Sequence, residues 1–312
     1  MARRVLISGG TGFLGRHATQ AFDAAGWEVF RLGSSDGDLR DPGHVSYVVS
    51  KYAPDTVVHL AAACGGIGAN QKKPFDYWHD NTLMGAHVLA ACARLRVRLV
   101  LVGTVCSYAA LAKTPFKEAD FWNGFPEPTN APYGIAKKSL LAGMDAARSQ
   151  YGLRGVYLIP ANLYGPGDHF EPETSHVIPA IIRNVVGAQE CGHDAVSLWG
   201  TGTATRDFLY APDCAQALVK AAEKENIEGP INLGTGREVS ILDLAHEIAR
   251  LCGWGGEFCW NHSKPDGQPR RVLDSKRAWE ELHWHAETTL ESGLIETIEW
   301  YRANRSRREE GW

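Results

Sequence analysis

The sequence predicts an α/β protein built on a doubly wound parallel sheet, with a smaller C-terminal lobe interleaved with it. Short apolar runs at Val5-Leu6-Ile7, Thr56-Val57-Val58-His59-Leu60 and Arg98-Leu99-Val100-Leu101-Val102 alternate with longer segments of helical period. That is the pattern of strands buried on both faces of a parallel sheet. The first run leads into Gly9-Gly10-Thr11-Gly12-Phe13-Leu14-Gly15, a glycine-rich turn between strand and helix. Beyond Tyr164 the alternation loosens, and Pro and Gly cluster at Gly165-Pro166-Gly167.

The first helix is expected over Phe13 to Ala25, stopped by Gly26, with a strand at Glu28 to Leu32. Phe75 to Arg94 reads as a helix between the strands at Thr56 and Arg98. A long helix from Ala131 to Tyr151 precedes a strand at Gly155 to Ile159. In the second half, Val177 to Val186 reads as a helix, short strands and helices follow, and the last helix lies near Leu290 to Tyr301. No linker-like stretch separates the halves, so the chain should cross between the lobes more than once. There is no internal repeat.

Of the 312 residues, 44% are hydrophobic and 22% charged, enough apolar material for one large core or two moderate ones. A net charge of -4 lacks the basic footprint of a nucleic-acid binder. Seven cysteines (Cys64, Cys92, Cys106, Cys191, Cys214, Cys252 and Cys259) form no C-x-x-C pair. Neither a disulfide framework nor a metal site is expected, and reduced, mostly buried thiols fit a cytoplasmic protein. The apolar run near Met1 is too short for a signal peptide, and no stretch is long enough to span a membrane. The run Arg305, Arg307, Arg308, Glu309, Glu310 reads as a solvated tail.

Gly9, Gly12 and Gly15 fit G-x-x-G-x-x-G between strand and helix. The first glycine allows a tight turn, the second lets backbone approach a pyrophosphate, and the third permits close helix packing. Free N–H groups at the helix start then face the phosphates. At the end of the second strand no carboxylate appears before Asp36. Ser34, Ser35 and Arg31 are placed to accept a 2′-phosphate, although Arg31 is equally compatible with a solvated strand position. NADP is therefore expected over NAD.

Tyr133 and Lys137 stand at i and i+4 of the long helix, one above the other. A nearby ammonium and a positive nicotinamide ring both favour a phenolate and lower the tyrosine pKa. Thr104 ends the fourth strand, where its hydroxyl can bind the substrate oxygen that Tyr133 protonates. Glycine loop, Thr104, Tyr133 and Lys137 together resemble the short-chain dehydrogenase superfamily, whose Rossmann sheet matches the predicted fold.

Further segments sharpen the resemblance. Leu60-Ala61-Ala62-Ala63-Cys64-Gly65-Gly66-Ile67, Glu127-Pro128-Thr129-Asn130-Ala131-Pro132-Tyr133 and Asn162-Leu163-Tyr164-Gly165-Pro166 are similar to the GDP-L-fucose synthase family. So are Ser175-His176-Val177-Ile178-Pro179, Trp199-Gly200-Thr201-Gly202-Thr203, Arg206-Asp207-Phe208-Leu209 and Ser263-Lys264-Pro265-Asp266-Gly267. That family converts GDP-4-keto-6-deoxy-D-mannose to GDP-L-fucose, epimerising C3 and C5 and reducing C4 with NADPH. The resemblance implies Cys106 and His176 as the epimerising pair. Read without it, they are a buried structural thiol and a helix-start residue.

The cofactor contacts it implies begin at Gly9, Thr11, Gly12, Phe13, Leu14 and Gly15, then Ser34, Ser35 and Asp41. They continue through Leu60, Ala61, Ala62, Val102 and Gly103 to Tyr133, Lys137, Pro160, Asn162, Leu163 and His176. The implied sugar-nucleotide contacts are Thr104, Cys106, Asn162, Arg183, Trp199, Arg206, Lys264 and Asp266. On this basis residues 1–164 with 206–236 form the dinucleotide-binding domain, and 165–205 with 237–312 the sugar-nucleotide lobe. A homodimer acting on a GDP-linked keto-deoxy sugar, with no nucleic-acid or membrane partner, is implied as well.

The chain also departs from the family. Thr104 replaces the usual serine, Ala109 the usual proline, and Arg183 is followed by Asn184 rather than a second basic residue. A 4,6-dehydratase is disfavoured because Thr104-Val105-Cys106 lacks both carboxylates of that subfamily. A 4-epimerase would leave Cys106 and His176 without a task. The remaining alternatives are a C4-reductase for another GDP-linked keto sugar, such as a deoxyheptose, and a cofactor-sensing protein without turnover.

Overall fold

The computed structural model describes residues 2–309. Along the first half run β1 (Arg4–Ser8), α1 (Phe13–Ala24), β2 (Glu28–Leu32), α2 (Pro42–Tyr52), β3 (Thr56–His59), α3 (Ile67–Lys72) and α4 (Pro74–Leu95). Then come β4 (Arg98–Val102), α5 (Ala131–Tyr151), β5 (Gly155–Pro160) and β6 (Asn162–Tyr164). The second half holds α6 (Val177–Cys191), β7 (Ala195–Trp199), β8 (Thr205–Arg206), β9 (Phe208–Tyr210), α7 (Ala211–Glu223), β10 (Pro230–Leu233) and β11 (Val239–Ser240). It ends with α8 (Ile241–Cys252), β12 (Glu257–Asn261), β13 (Arg270–Arg271), α9 (Lys276–Leu282) and α10 (Leu290–Glu309).

Six strands form the central sheet in the order β10-β5-β4-β3-β1-β2, every neighbouring pair parallel. This is the doubly wound arrangement the sequence predicts. Strands β3, β4 and β5 are buried at every position because helices cover both faces. On one face α1 packs against α7, and on the other α4 lies between α2 and α5. The chain leaves β1 for β2 and returns across it to β3. That reversal leaves a crevice beyond the strand C-termini, where ligands of such sheets bind.

A second apolar cluster joins α6, α8 and α10 to β7 and β12 through Ile182, Val185, Ile248, Leu294 and Ile298. Short strands carry the chain between the two cores. β6 pairs with β9, and β8 with β11 and β13. Between β8 and β9 the buried Asp207 carboxylate accepts from Thr235 N (3.0 Å) and Thr235 Oγ1 (2.7 Å). Leu273, Ala278, Leu282 and Trp284, assigned from sequence to the second lobe, pack in the first core.

Two helices run further than their sequence pattern. α6 passes Gly187 and ends at Gly192, whose left-handed φ of 68° caps it, because Ala188 is buried against α8 and α10. α10 continues past Tyr301: Arg302 donates to Gln189 Oε1 (2.8 Å) and Cys252 O (3.0 Å), and Arg305 pairs with Glu190. The basic run read as a tail is therefore helical through Glu309, while Glu310 lies outside the described residues. α2 escaped the sequence analysis, although Asp41 caps it and Pro42 occupies its first turn.

Buried Asn232 on β10 fixes the loops that lead to the site. Its Nδ2 donates to Phe116 O (2.9 Å) and Asp274 O (3.1 Å), and its Oδ1 accepts from Tyr108 Oη (2.8 Å). Asn232→Leu strands three buried polar groups and should lower stability by about 3 kcal/mol. Urea unfolding at unchanged slope measures it, and a loss under about 1 kcal/mol would show that the network contributes little.

Candidate active site

One cleft of about 990 Å³ opens along the C-terminal ends of β1, β3, β4 and β5 and reaches across to α6 and β7. The glycine loop forms its first wall. Gly9 has φ +74°, and a Cβ there would lie 2.6 Å from Ala61 N. At Gly15 a Cβ would stand 2.0 Å from Gly9 O, so the first turn of α1 can approach the loop only as glycine. Phe13, Leu14 and Gly15 then face the cleft with the open start of α1, a cradle suited to a diphosphate. Arg16 and His17 tie this turn to the far lobe, donating to or sharing hydrogen bonds with Gly167 O (2.7 Å) and Pro166 O (2.8 Å).

Thr11, Gly12, Ser34, Leu60, Ala61, Ala62, Val102, Gly103, Pro160, Asn162 and Leu163 line the same cleft. Ser35 and Asp41 do not. The Asp41 carboxylate is turned to its own helix, accepting from Gly43 N at 2.8 Å, and Ser35 sits mid-turn in the short helix Ser34–Asp36. Arg31 also stays outside. Arg40 stands in the wall instead, held by Asp38 at 2.7 Å and Asp80 at 3.1 Å. No sequence motif pointed to it.

Tyr133 and Lys137 rise from the first turns of α5 and face Thr104 and Cys106 across the cleft. Lys137, 2% exposed, donates to Val102 O at 3.2 Å, and burial pushes its ammonium down to about 8. Burial raises the Tyr133 phenol well above its ordinary value, with the Cys64 and Cys106 thiols adding to the rise. The phenol is thus held protonated, the form that donates a proton. Thr104 Oγ1 accepts from Cys106 N at 3.2 Å and keeps its own hydrogen for a ligand.

His176 caps α6 through backbone alone and its exposed ring lies in the cleft. Its Nε2 is 3.8 Å from Cys64 Sγ, a thiol to which the sequence analysis gave no role. Cys106 instead meets Arg271 Nη1 at 3.5 Å. The cysteines divide accordingly: Cys92, Cys214 and Cys252 are buried, Cys106 is half-buried, and Cys64, Cys191 and Cys259 are exposed.

At the far end, Arg183, Trp199, Arg206 and Asp266 line the cleft. Arg183 donates to Phe170 O (2.7 Å) and to Asn184 Oδ1 (3.2 and 3.1 Å), so Asn184 orients the arginine it follows. Arg206 donates to the carbonyls of Thr205, Gln268 and Asp266, and burial brings it down to about 9. The Asp266 carboxylate accepts from Thr201 N (2.8 Å) and Oγ1 (3.0 Å). Lys264 does not line the cleft; its ammonium lies 5.0 Å from the Trp199 ring, where a cation is attracted to the aromatic face. Arg270 points away to Glu238. Among the described residues no cluster of His, Cys, Asp and Glu could hold a metal.

Residues 5–234 match the family described as "NAD dependent epimerase/dehydratase family". GDP-L-fucose synthase of Azorhizobium caulinodans is 36% identical over 301 residues, covering 96% of both chains. That of Sinorhizobium fredii is 37% identical over 303 residues, covering 97% of this chain and 96% of its own. The crystal structure of a GDP-L-fucose synthetase from Naegleria fowleri bound to NADP superposes with a TM-score of 0.87 at 28% identity, covering 97% of this chain and 94% of that one.

Gly15→Ala should separate α1 from the glycine loop. The expected outcome is a stability loss beyond about 1 kcal/mol and a nucleotide affinity at least about tenfold weaker by fluorescence titration of NADPH. Unchanged affinity would remove the loop from the binding wall.

Proposed function

The chain belongs to the GDP-L-fucose synthase family, within the NAD dependent epimerase/dehydratase family, and on that premise we propose that it is an NADPH-dependent 3,5-epimerase and 4-reductase of a GDP-4-keto-6-deoxy sugar. One observation carries this: the glycine cradle, the pair Tyr133 and Lys137, and Thr104, Cys106 and His176 all line a single cleft. NADPH supplies a hydride for C4 when bound.

Thr104 and Tyr133 hold the C4 oxygen, and Tyr133 gives it a proton. Lys137 orients that wall from beneath. A ketone at C4 acidifies the C–H bonds at C3 and C5, because each carbanion delocalises as an enolate. Inversion then requires a group that removes a proton from one face and another that returns one to the opposite face, roles assigned to Cys106 and His176. Arg271 Nη1 lies 3.5 Å from the Cys106 sulfur. Arg183, Arg206 and Asp266 are assigned to the nucleotide end, where guanidinium forks suit a diphosphate.

The cofactor unit is proposed as residues 1–164 and 206–236, joined by the 273–284 segment. Residues 165–205 and the rest of the C-terminal part hold the sugar nucleotide. Exposed Phe75 (65%) and Trp78 (41%) on α4 support a homodimer, and seven unpaired cysteines support a reducing, cytoplasmic location. No helix among the described residues is long and apolar enough to cross a membrane.

A second reading, C4 reduction alone, is favoured by one observation: His176 contacts Cys64, while Cys106 contacts Arg271. Incubation with GDP-4-keto-6-deoxy-D-mannose and oxidised cofactor in D₂O separates the two. The epimerase reading predicts deuterium at C3 and C5 for the wild type and much slower uptake for Cys106→Ser and His176→Gln. Brisk reduction when NADPH is supplied in a parallel assay, with no deuterium uptake in this one, would leave a simple reductase. Tyr133→Phe should slow reduction by about 10²–10⁴-fold with cofactor affinity nearly unchanged, and activity within a few-fold of wild type would remove Tyr133 from the mechanism.

A further inference from the structure

Arg206 of β8 and Arg271 of β13 stand opposite each other on neighbouring parallel strands, so their side chains leave the sheet on one face. Both are buried, and both line the cleft. Two guanidiniums so placed repel; burial, with the charge of Arg271 added, brings Arg206 down. Buried charges are ordinarily paired with an opposite charge. Here the residue that joins the two arginines is Gln268, itself 4% exposed and part of the same cleft wall.

Gln268 serves both arginines with neutral oxygens. Its main-chain carbonyl accepts from Arg206 Nη1 at 2.6 Å, and its side-chain Oε1 accepts from Arg271 Nε at 3.2 Å. The amide nitrogen is anchored in turn, donating to Ala109 O (3.2 Å) and Ala110 O (3.0 Å) in the loop that follows Cys106. That anchor keeps the amide oxygen, the acceptor, toward the guanidinium. The other end of Arg271 is loosely held: Nη1 meets Cys106 Sγ and Asn162 Oδ1 at 3.5 Å each, at the outer limit of hydrogen bonding. An amide oxygen orients a guanidinium without cancelling its charge, whereas a carboxylate would do both. The positive charge of the pair is therefore kept for a ligand.

We propose that Gln268 is a positioning residue that holds Arg271 beside Arg206 as an uncompensated pair for the diphosphate of a sugar nucleotide, a role that rests on the nucleotide reading of the cleft in the proposed function. It acts through Arg271 and touches no reacting atom. GDP carries the diphosphate by itself, so the test needs no sugar and no turnover.

The test uses the full chain with two variants. Gln268→Met has a similar length and no amide. Gln268→Glu keeps an acceptor for Arg271 but adds a negative charge. Isothermal titration calorimetry reads GDP affinity, and fluorescence titration of NADPH reads the other end of the cleft. Both variants should bind GDP on the order of tenfold more weakly than wild type, with NADPH affinity within about twofold. Salt should weaken GDP binding less in Gln268→Glu than in wild type, because the site carries one positive charge fewer. Arg271→Ala should bind GDP at least as weakly as Gln268→Met. Adding Gln268→Met to Arg271→Ala should change GDP affinity by less than about twofold, since a residue that acts through another loses its effect once that partner is gone.

Wild-type GDP affinity in folded Gln268→Met would overturn the proposal. So would losses that add in the double variant, or GDP and NADPH affinities that fall together, since either marks a structural role played through Ala109 and Ala110. If Gln268→Met does not fold, the salt dependence of Gln268→Glu decides, and a wild-type dependence there overturns the proposal; failure of both variants to fold overturns it as well. A wild type that binds NADPH but not GDP would overturn the nucleotide reading of the cleft itself.

Discussion

The first turn of α5 and the loop after β4 meet through backbone at Gly134, where a Cβ would lie 2.6 Å from Cys106 O. Around that contact Ser107 Oγ donates to Gly134 O at 2.8 Å, Lys138 to Ser107 O at 3.3 Å, and Tyr157 Oη to Lys137 O at 2.8 Å. The two segments are far apart in sequence, yet this junction decides whether Tyr133 and Lys137 share a wall with Thr104 and Cys106. Any larger residue at 134 would force the helix back. A shift of about 1 Å in such a constellation can cost 10²-fold in rate.

The charge layout follows from the same packing. Lys137, Arg206 and Arg271 are each less than a tenth exposed, and among the described residues none has a carboxylate within ion-pairing distance. Lys137 and Arg206 donate to backbone carbonyls, and Arg271 to two side-chain amides and a thiol. Burial lowers Lys137 and Arg206, which means that a positive charge there is poorly compensated by the protein. A phosphate- or enolate-bearing ligand would supply the missing negative charge.

Much of this was legible in the sequence because it is local. Buried strands announce themselves as apolar runs, and within the glycine loop Gly15 answers to Gly9 and Gly10 a few residues away, whereas Gly9 answers to Ala61 after β3. Tyr133 and Lys137 follow from helical spacing alone. What stayed hidden depends on distant partners. Cys64 had no assigned role until α6 brought His176 beside it, and Arg40 gained meaning only through Asp80 on α4. Asp41 is among the cofactor contacts the family resemblance implies, yet a helix start claimed it. Lys264 fits a family segment, but an indole face attracts its ammonium. The long ends of α6 and α10 are held by each other, through Arg302 and Gln189, and so carry no local signal.

The central claim is that this cleft delivers a hydride to the C4 carbon of a GDP-linked keto sugar under Tyr133. NADPH carrying deuterium at the transferable position of nicotinamide C4 tests it most directly, with the sugar product examined by NMR. The account predicts one deuterium at C4 of the product, and loss of that transfer in Tyr133→Phe. Turnover that leaves the label on the nicotinamide, or equal transfer by Tyr133→Phe, would contradict it.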